Sequence, residues 1–152
     1  SNFLMDTKKS ILNGFQKAEK EFLDKIKNDD TDKSGSCALV AIIIDDIIYI
    51  ANCGDSHAIL SLNNGKEIKE LNKIHKPSKL INPEEVERVA KAGGEIFISK
   101  SGTERVNPGK FTVTRSFGYQ YCKKQNLDGK EKDKLEEQFA IGDEIAVKVK
   151  ST

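Results

Sequence analysis

The sequence predicts an α+β domain with an antiparallel sheet and at least two helices, and three features carry that expectation. Residues 4–27 place apolar side chains at helical spacing. Residues 37–71 hold short apolar, β-branched runs separated by turn residues. Residues 82–93 carry both a helix start signal and a helix stop signal.

In residues 4–27, Leu4, Ile11, Phe15, Ala18, Phe22 and Ile26 recur at steps of three, four and seven, the spacing of one helix face. The polar stretch 28–36 has no periodicity and reads as a loop. A continuous apolar run at 37–44, the turn Asp45-Asp46 and a second run at 47–51 predict a buried β-hairpin. Asn52 to Ser56 reads as a tight turn or bulge. A third strand at 57–62 leads through Asn63-Asn64-Gly65 to a fourth at 67–71, so that 37–71 forms one antiparallel meander. Asn82 is a helix N-cap, Pro83 takes the first helical position, Glu84 and Glu85 sit in the positive first turn, and Gly93 ends the helix. Runs at 96–99 and 111–115 predict a hairpin within 96–118, closed by a polar loop at 100–110. The charged, irregular segment 119–152 reads as a mobile, flap-like tail, and the whole of 1–152 as a single partial domain.

Composition excludes several functions. With 25 basic and 24 acidic residues in 152, the net charge is +1, and no stretch concentrates Lys and Arg into a nucleic-acid-binding stripe. The longest apolar run is broken by Asp45 and Asp46 and falls far short of the roughly 20 residues that span a bilayer. No membrane partner is expected. Cys37, Cys53 and Cys122 form no CxxC pair and have no His at zinc-ligand spacing, which predicts free thiols in a reducing, intracellular compartment.

Six short blocks go further than fold class. They are Ser34-Gly-Ser-Cys-Ala38, Ile50-Ala-Asn-Cys-Gly-Asp-Ser-His-Ala58, His75-Lys-Pro77, Glu87-Arg-Val-Ala-Lys-Ala-Gly-Gly94, Arg105-Val-Asn107 and Val113-Thr-Arg-Ser-Phe-Gly118. In order and spacing they resemble the successive blocks of the type 2C metal-dependent serine/threonine protein phosphatases. The resemblance spans about residues 34–118.

It implies a two-sheet antiparallel β-sandwich flanked by helices, of which this chain is a part. It also implies two Mg²⁺ or Mn²⁺ ions in the full-length domain, which activate a water against phosphoserine or phosphothreonine of a phosphoprotein substrate. The family's Asp-Gly-His-Gly block and its second Asp-Gly block have no counterpart in this sequence. Glu137-Gln-Phe-Ala-Ile-Gly-Asp-Glu-Ile145 is only faintly similar to the segment that precedes the second. No metal is therefore expected in this chain alone, and the chain alone is expected to be inactive and prone to self-association through exposed sheet edges.

The signature positions Gly54, Asp55, Ser56, Gly93, Gly94, Arg115 and Gly118 match the family and are expected to be mainly structural. An Asp in a Gly-Asp-Ser turn satisfies backbone N–H groups more often than it binds metal. Arg115 suits either a phosphate or a structural ion pair. His57 and His75 share no catalytic spacing and read as hydrogen-bonded structural histidines, and Cys37 as a small core residue. Three positions depart from the family. His57 replaces an Arg, Ile74 an Asp, and Tyr119 the Asp that closes Phe-Gly-Asp, where a phenol cannot serve as a hard-cation ligand at neutral pH. These departures keep a second function open, a catalytically dead phosphatase-like binding or regulatory module.

Overall fold

The computed structural model describes residues 6–107, 109–123 and 149–150. The first helix, α1, runs Thr7–Ile26, and the Asp6 side chain caps it by accepting the Lys9 N–H at 3.0 Å. Its inner face differs from the predicted one. Ile11 and Glu19 are buried and Phe15 and Phe22 half-buried, whereas Ala18 is exposed. Leu4 lies outside the described residues.

Strands β1 (Gly35–Ser36), β2 (Ala38–Ile44) and β3 (Ile47–Cys53) follow. β2 and β3 pair antiparallel from Ala38↔Cys53 to Ile44↔Ile47, around a turn in which Asp45 takes a positive φ of 50°. This hairpin is less buried than its apolar sequence predicts: the last four residues of β3 are buried, but on β2 Val40 and Ile43 are exposed. Strands β4 (Ile59–Leu62) and β5 (Glu67–Glu70) make a second antiparallel pair across a short 3₁₀ turn at Asn63–Gly65.

The predicted four-strand meander is thus two separate hairpins, because β3 and β4 do not pair. Gly54 explains the break. Its φ of 120° swings the chain out of the sheet, and its N–H and carbonyl both bond His75 instead of a neighbouring strand.

Helix α2, Pro83–Lys91, is capped by Asn82, whose side chain accepts the Glu85 N–H. Gly93 at φ 82° and the Gly94 N–H bonding the Val89 carbonyl close its far end. Strand β6 (Glu95–Ile98) then pairs with β7 (Glu104–Asn107), not with 111–115. A tight turn at 99–103, with Ser99 and Thr103 bonded and Gly102 at φ 79°, closes the hairpin early. The polar side chains of Glu104, Arg105 and Asn107 disguised β7 as loop, since Val106 alone of its four residues is buried. Phe111 returns to bridge Val106.

Strand β8, Phe117–Gly118, pairs with β1 across more than 80 residues of sequence and packs against α1, where Phe117 meets Phe15. A single helical turn, α3 (Gln120–Lys123), follows where irregular chain was expected, and β9 (Val149–Lys150) pairs with β3. The remainder of the predicted tail lies outside the described residues. The core gathers Val89 of α2, Val106 of β7, Phe111, Val113 and Cys122, with Cys37, Ile96, Tyr119 and Tyr121 packed against it.

Candidate functional site

Three sequence blocks meet at His75. The His75 N–H donates to the Gly54 carbonyl at 3.0 Å, and the Gly54 N–H donates to His75 Nδ1 at 3.1 Å. On the other side the Thr114 N–H donates to the His75 carbonyl at 2.8 Å. The Gly-Asp-Ser turn, the His-Lys-Pro segment and the Thr-Arg-Ser segment are therefore laced together through backbone groups. His75 is 1% exposed, and acceptance at Nδ1 fixes that nitrogen unprotonated, so its work is structural. Gly54 has no room for a side chain, because a Cβ there would collide with the Cys37 side chain.

A buried ion cluster ties α2 to the same place. Glu85 Oε1 and Oε2 accept from Arg115 Nε at 3.0 and 3.1 Å, and from Arg88 Nε and Nη2 at 2.9 Å each. Arg115 Nη2 also bonds Glu85, the Thr114 hydroxyl donates to it at 2.7 Å, and Arg88 Nη2 reaches on to the Thr114 carbonyl at 3.1 Å. Burial alone would raise the Glu85 carboxyl, but the donors of Arg88, Arg115 and Thr114 outweigh it and hold that group well below the usual carboxylate range. Arg115 is thus committed to an internal ion pair, one of the two roles left open for it. At the other end, buried Glu19 of α1 accepts the Gly118 N–H at 2.8 Å.

Asp55 behaves differently from its predicted role. Its carboxylate accepts no backbone N–H among the described residues; it faces Cys37 Sγ at 3.7 Å and Lys76 Nζ at 4.0 Å. The backbone of the turn is satisfied elsewhere, by His75 and by Asn72, whose Nδ2 donates to the Ser56 carbonyl at 3.0 Å. Burial pushes the Cys37 thiol up, which keeps it neutral and unreactive.

The three departures have separate fates. His57 Nε2 lies 3.8 Å from Glu70 Oε1 at the surface, a pair worth little. Ile74 is half-buried and offers its carbonyl to Asn82 Nδ2 at 3.0 Å. Tyr119, at φ 52°, lays its ring against Phe111 with centroids 4.4 Å apart and across Gly35, which a Cβ would drive into the ring. That position is built around an aromatic group.

Asp55 and Lys76 open onto a cleft of about 430 Å³ that Ser78, Ile81, Glu104 and Thr112 also line. Nothing local in the sequence marks Glu104 or Thr112 as neighbours of Asp55, because Glu104 arrives through the β6–β7 pairing and Thr112 through the chain that returns after it. Glu85 and Glu19 were also missed as tie points. Glu85 had a signal in its i, i+3 spacing to Arg88, and Glu19 in its place four residues after Phe15 and three before Phe22. Among the described residues, no three His, Cys, Asp or Glu side chains converge as a metal site. The described residues therefore do not by themselves supply the ligands of the implied metal pair.

Fold and site together define an α+β scaffold of antiparallel hairpins, with its signature turns locked by a buried histidine and a buried Glu–Arg cluster. The family model for Protein phosphatase 2C matches residues 1–147, and the chain belongs to that family. It is 37% identical over 123 residues to "Probable protein phosphatase 2C 7" of Oryza sativa subsp. japonica, covering 81% of this chain and 30% of that protein. It is 38% identical over 116 residues to "Probable protein phosphatase 2C 69" of Arabidopsis thaliana, covering 76% and 30%. The chain thus spans under a third of the length of these relatives. In fold it is similar to the crystal structure of serine-threonine phosphatase 2C from Toxoplasma gondii, with a TM-score of 0.66 at 16% identity over 96% of this chain and 46% of that one.

Proposed function

We propose that this chain is the central scaffold of a protein phosphatase that hydrolyses phosphoserine and phosphothreonine of phosphoproteins inside the cell. In the longer polypeptide, carboxylates outside this chain would hold Mg²⁺ or Mn²⁺, and the ions would supply an activated water. What carries the reading is the meeting of the Gly-Asp-Ser, His-Lys-Pro and Thr-Arg-Ser segments around His75, in a chain whose family match runs over 1–147. The part played by these residues is positioning: they hold turns in place without touching a reacting phosphate.

The test compares two lengths of polypeptide. With millimolar Mn²⁺ and p-nitrophenyl phosphate or a phosphothreonine peptide, the 152-residue chain should show no turnover. The polypeptide extended to the length of its relatives should turn over both, and lose activity to EDTA. Turnover by the short chain would overturn this division of labour. A second reading, a catalytically dead binding module, is favoured by one observation, the packing of Tyr119 into an aromatic site. It requires the longer, folded polypeptide to stay inactive at saturating Mn²⁺.

A further inference from the structure

Asn-Gly occurs twice in the sequence, at 13–14 and at 64–65, and the fold puts the two copies in opposite settings. An asparagine before a glycine has a reactive neighbour, because the glycine nitrogen can attack the asparagine Cγ with no Cβ in its way. Both copies are exposed, so access to solvent does not separate them. Backbone geometry does.

Asn13 and Gly14 lie inside α1, where the Gly14 N–H belongs to the helix ladder and the Asn13 ψ is held at its helical value. Ring closure there requires the helix to open first. Asn64 and Gly65 instead sit at the tip of the β4–β5 hairpin, where Asn63, Asn64 and Gly65 take φ of 52°, 58° and 86°. Successive left-handed asparagines are strained, and the Lys66 N–H to Asn63 carbonyl bond that closes the turn is long, at 3.3 Å. The Asn63 amide is tied to Glu67 Oε2 at 3.1 Å, whereas the Asn64 amide has no hydrogen bond among the described residues. Space over Gly65 is open: the nearest atom to the place of a Cβ is Ser61 Oγ, at 4.0 Å.

We propose that Asn64 is a site of spontaneous covalent modification, converting to aspartate and isoaspartate while the protein is folded. The Gly65 nitrogen gives its proton to a solvent base and bonds to Asn64 Cγ; the Cγ–Nδ2 bond breaks and Nδ2 leaves as ammonia. Water then adds to either carbonyl of the cyclic imide and breaks its bond to the Gly65 nitrogen. Addition at Cγ gives aspartate, and addition at the main-chain carbonyl gives isoaspartate. Water is the sole co-reactant, and nothing is oxidised or reduced. Both products place a carboxylate in the turn that Glu67 already borders, and isoaspartate lengthens the backbone of the turn that sets the Leu62↔Glu67 register. The proposal is independent of the phosphatase reading.

The test incubates the 152-residue chain in warm, mildly alkaline buffer and follows each asparagine by peptide mapping, with electron-transfer dissociation to separate aspartate from isoaspartate. In native buffer Asn64 should lose its amide about tenfold or more faster than Asn13, at a rate that rises with pH. In concentrated urea the two should convert at similar rates, because the difference lies in the fold. Gly65→Ala should slow conversion at Asn64 severalfold in native buffer and in urea alike. An Asn64 amide that survives in native buffer after the urea sample has lost it, or that is lost no faster than that of Asn13, would overturn the proposal.

Discussion

At the scale of single residues, burial turns ordinary side chains into points on which the fold depends. Glu85 shares one desolvated cluster with Arg115, and both side chains are 6% exposed. Glu85→Gln keeps the shape but leaves Arg115 buried without its counter-charge, which should cost about 3–5 kcal/mol of unfolding free energy in urea titrations. The pH dependence follows from the direction of the shift. The Glu85 carboxyl sits lower in the folded state than its ordinary value of 4.5, so its stabilisation is fully present above that value. It is lost progressively as pH falls from there toward the depressed folded value, and Glu85→Gln should flatten that part of the profile. Glycines give a second contrast. Gly54→Ala must accept both a positive φ and a collision with Cys37, whereas Gly102→Ala, at φ 79°, meets nothing within 4 Å. Thermal melts should therefore show Gly102→Ala losing only about 1 kcal/mol to backbone strain and Gly54→Ala losing clearly more.

At the scale of elements, α1 has a removable weakness. Gly14 lies inside the helix with nothing within 4 Å of the place its Cβ would occupy. Gly14→Ala should stabilise the protein by roughly 0.5–1 kcal/mol, read as a higher urea midpoint at unchanged slope, and an unchanged midpoint would mean that α1 is not folded cooperatively with the rest. What the sequence disclosed about elements depends on how local their causes are. Helix α2 was legible because Asn82, Pro83 and Gly93 act within a few residues of where they stand. So was the β2–β3 hairpin, fixed by its Asp45-Asp46 turn. The β6–β7 pairing was not, because its partner strand is polar on three of four positions and is recognised only through the buried Val106. Nor was the break after β3, whose cause is a bond from Gly54 to a histidine 21 residues away. The site follows the same division. The signature residues could be named from the sequence, but the contacts of Asp55 with Cys37 and Lys76, and its neighbour Glu104 across the cleft, came only with the tertiary arrangement.

At the scale of the whole molecule, the sheet edges decide how the chain behaves by itself. β3 has partners on both sides, β2 and β9, but the outer edge of β2 has no strand beside it among the described residues. On that edge strand Ile43 is 71% exposed, and on the β4–β5 hairpin Ile59 and Ile68 share a face at 57% and 64% exposure. An open edge flanked by isoleucine is a template for strand addition, and natural edges are usually blunted by charge, Pro or a covering element. β2 itself carries no charged residue. The 152-residue chain should therefore self-associate, with a weight-average mass in sedimentation that rises with concentration. Ile43→Lys, which puts a charge on the edge at a site already facing solvent, should shift that association to higher concentration with little change in helix and strand content. A chain that sediments as a monomer at every concentration, or an Ile43→Lys variant that associates as strongly as the parent, would remove β2 as the contact. The same surface in a polypeptide of the relatives' length has more than twice as much chain available to cover it. That longer protein should remain monomeric with or without the lysine.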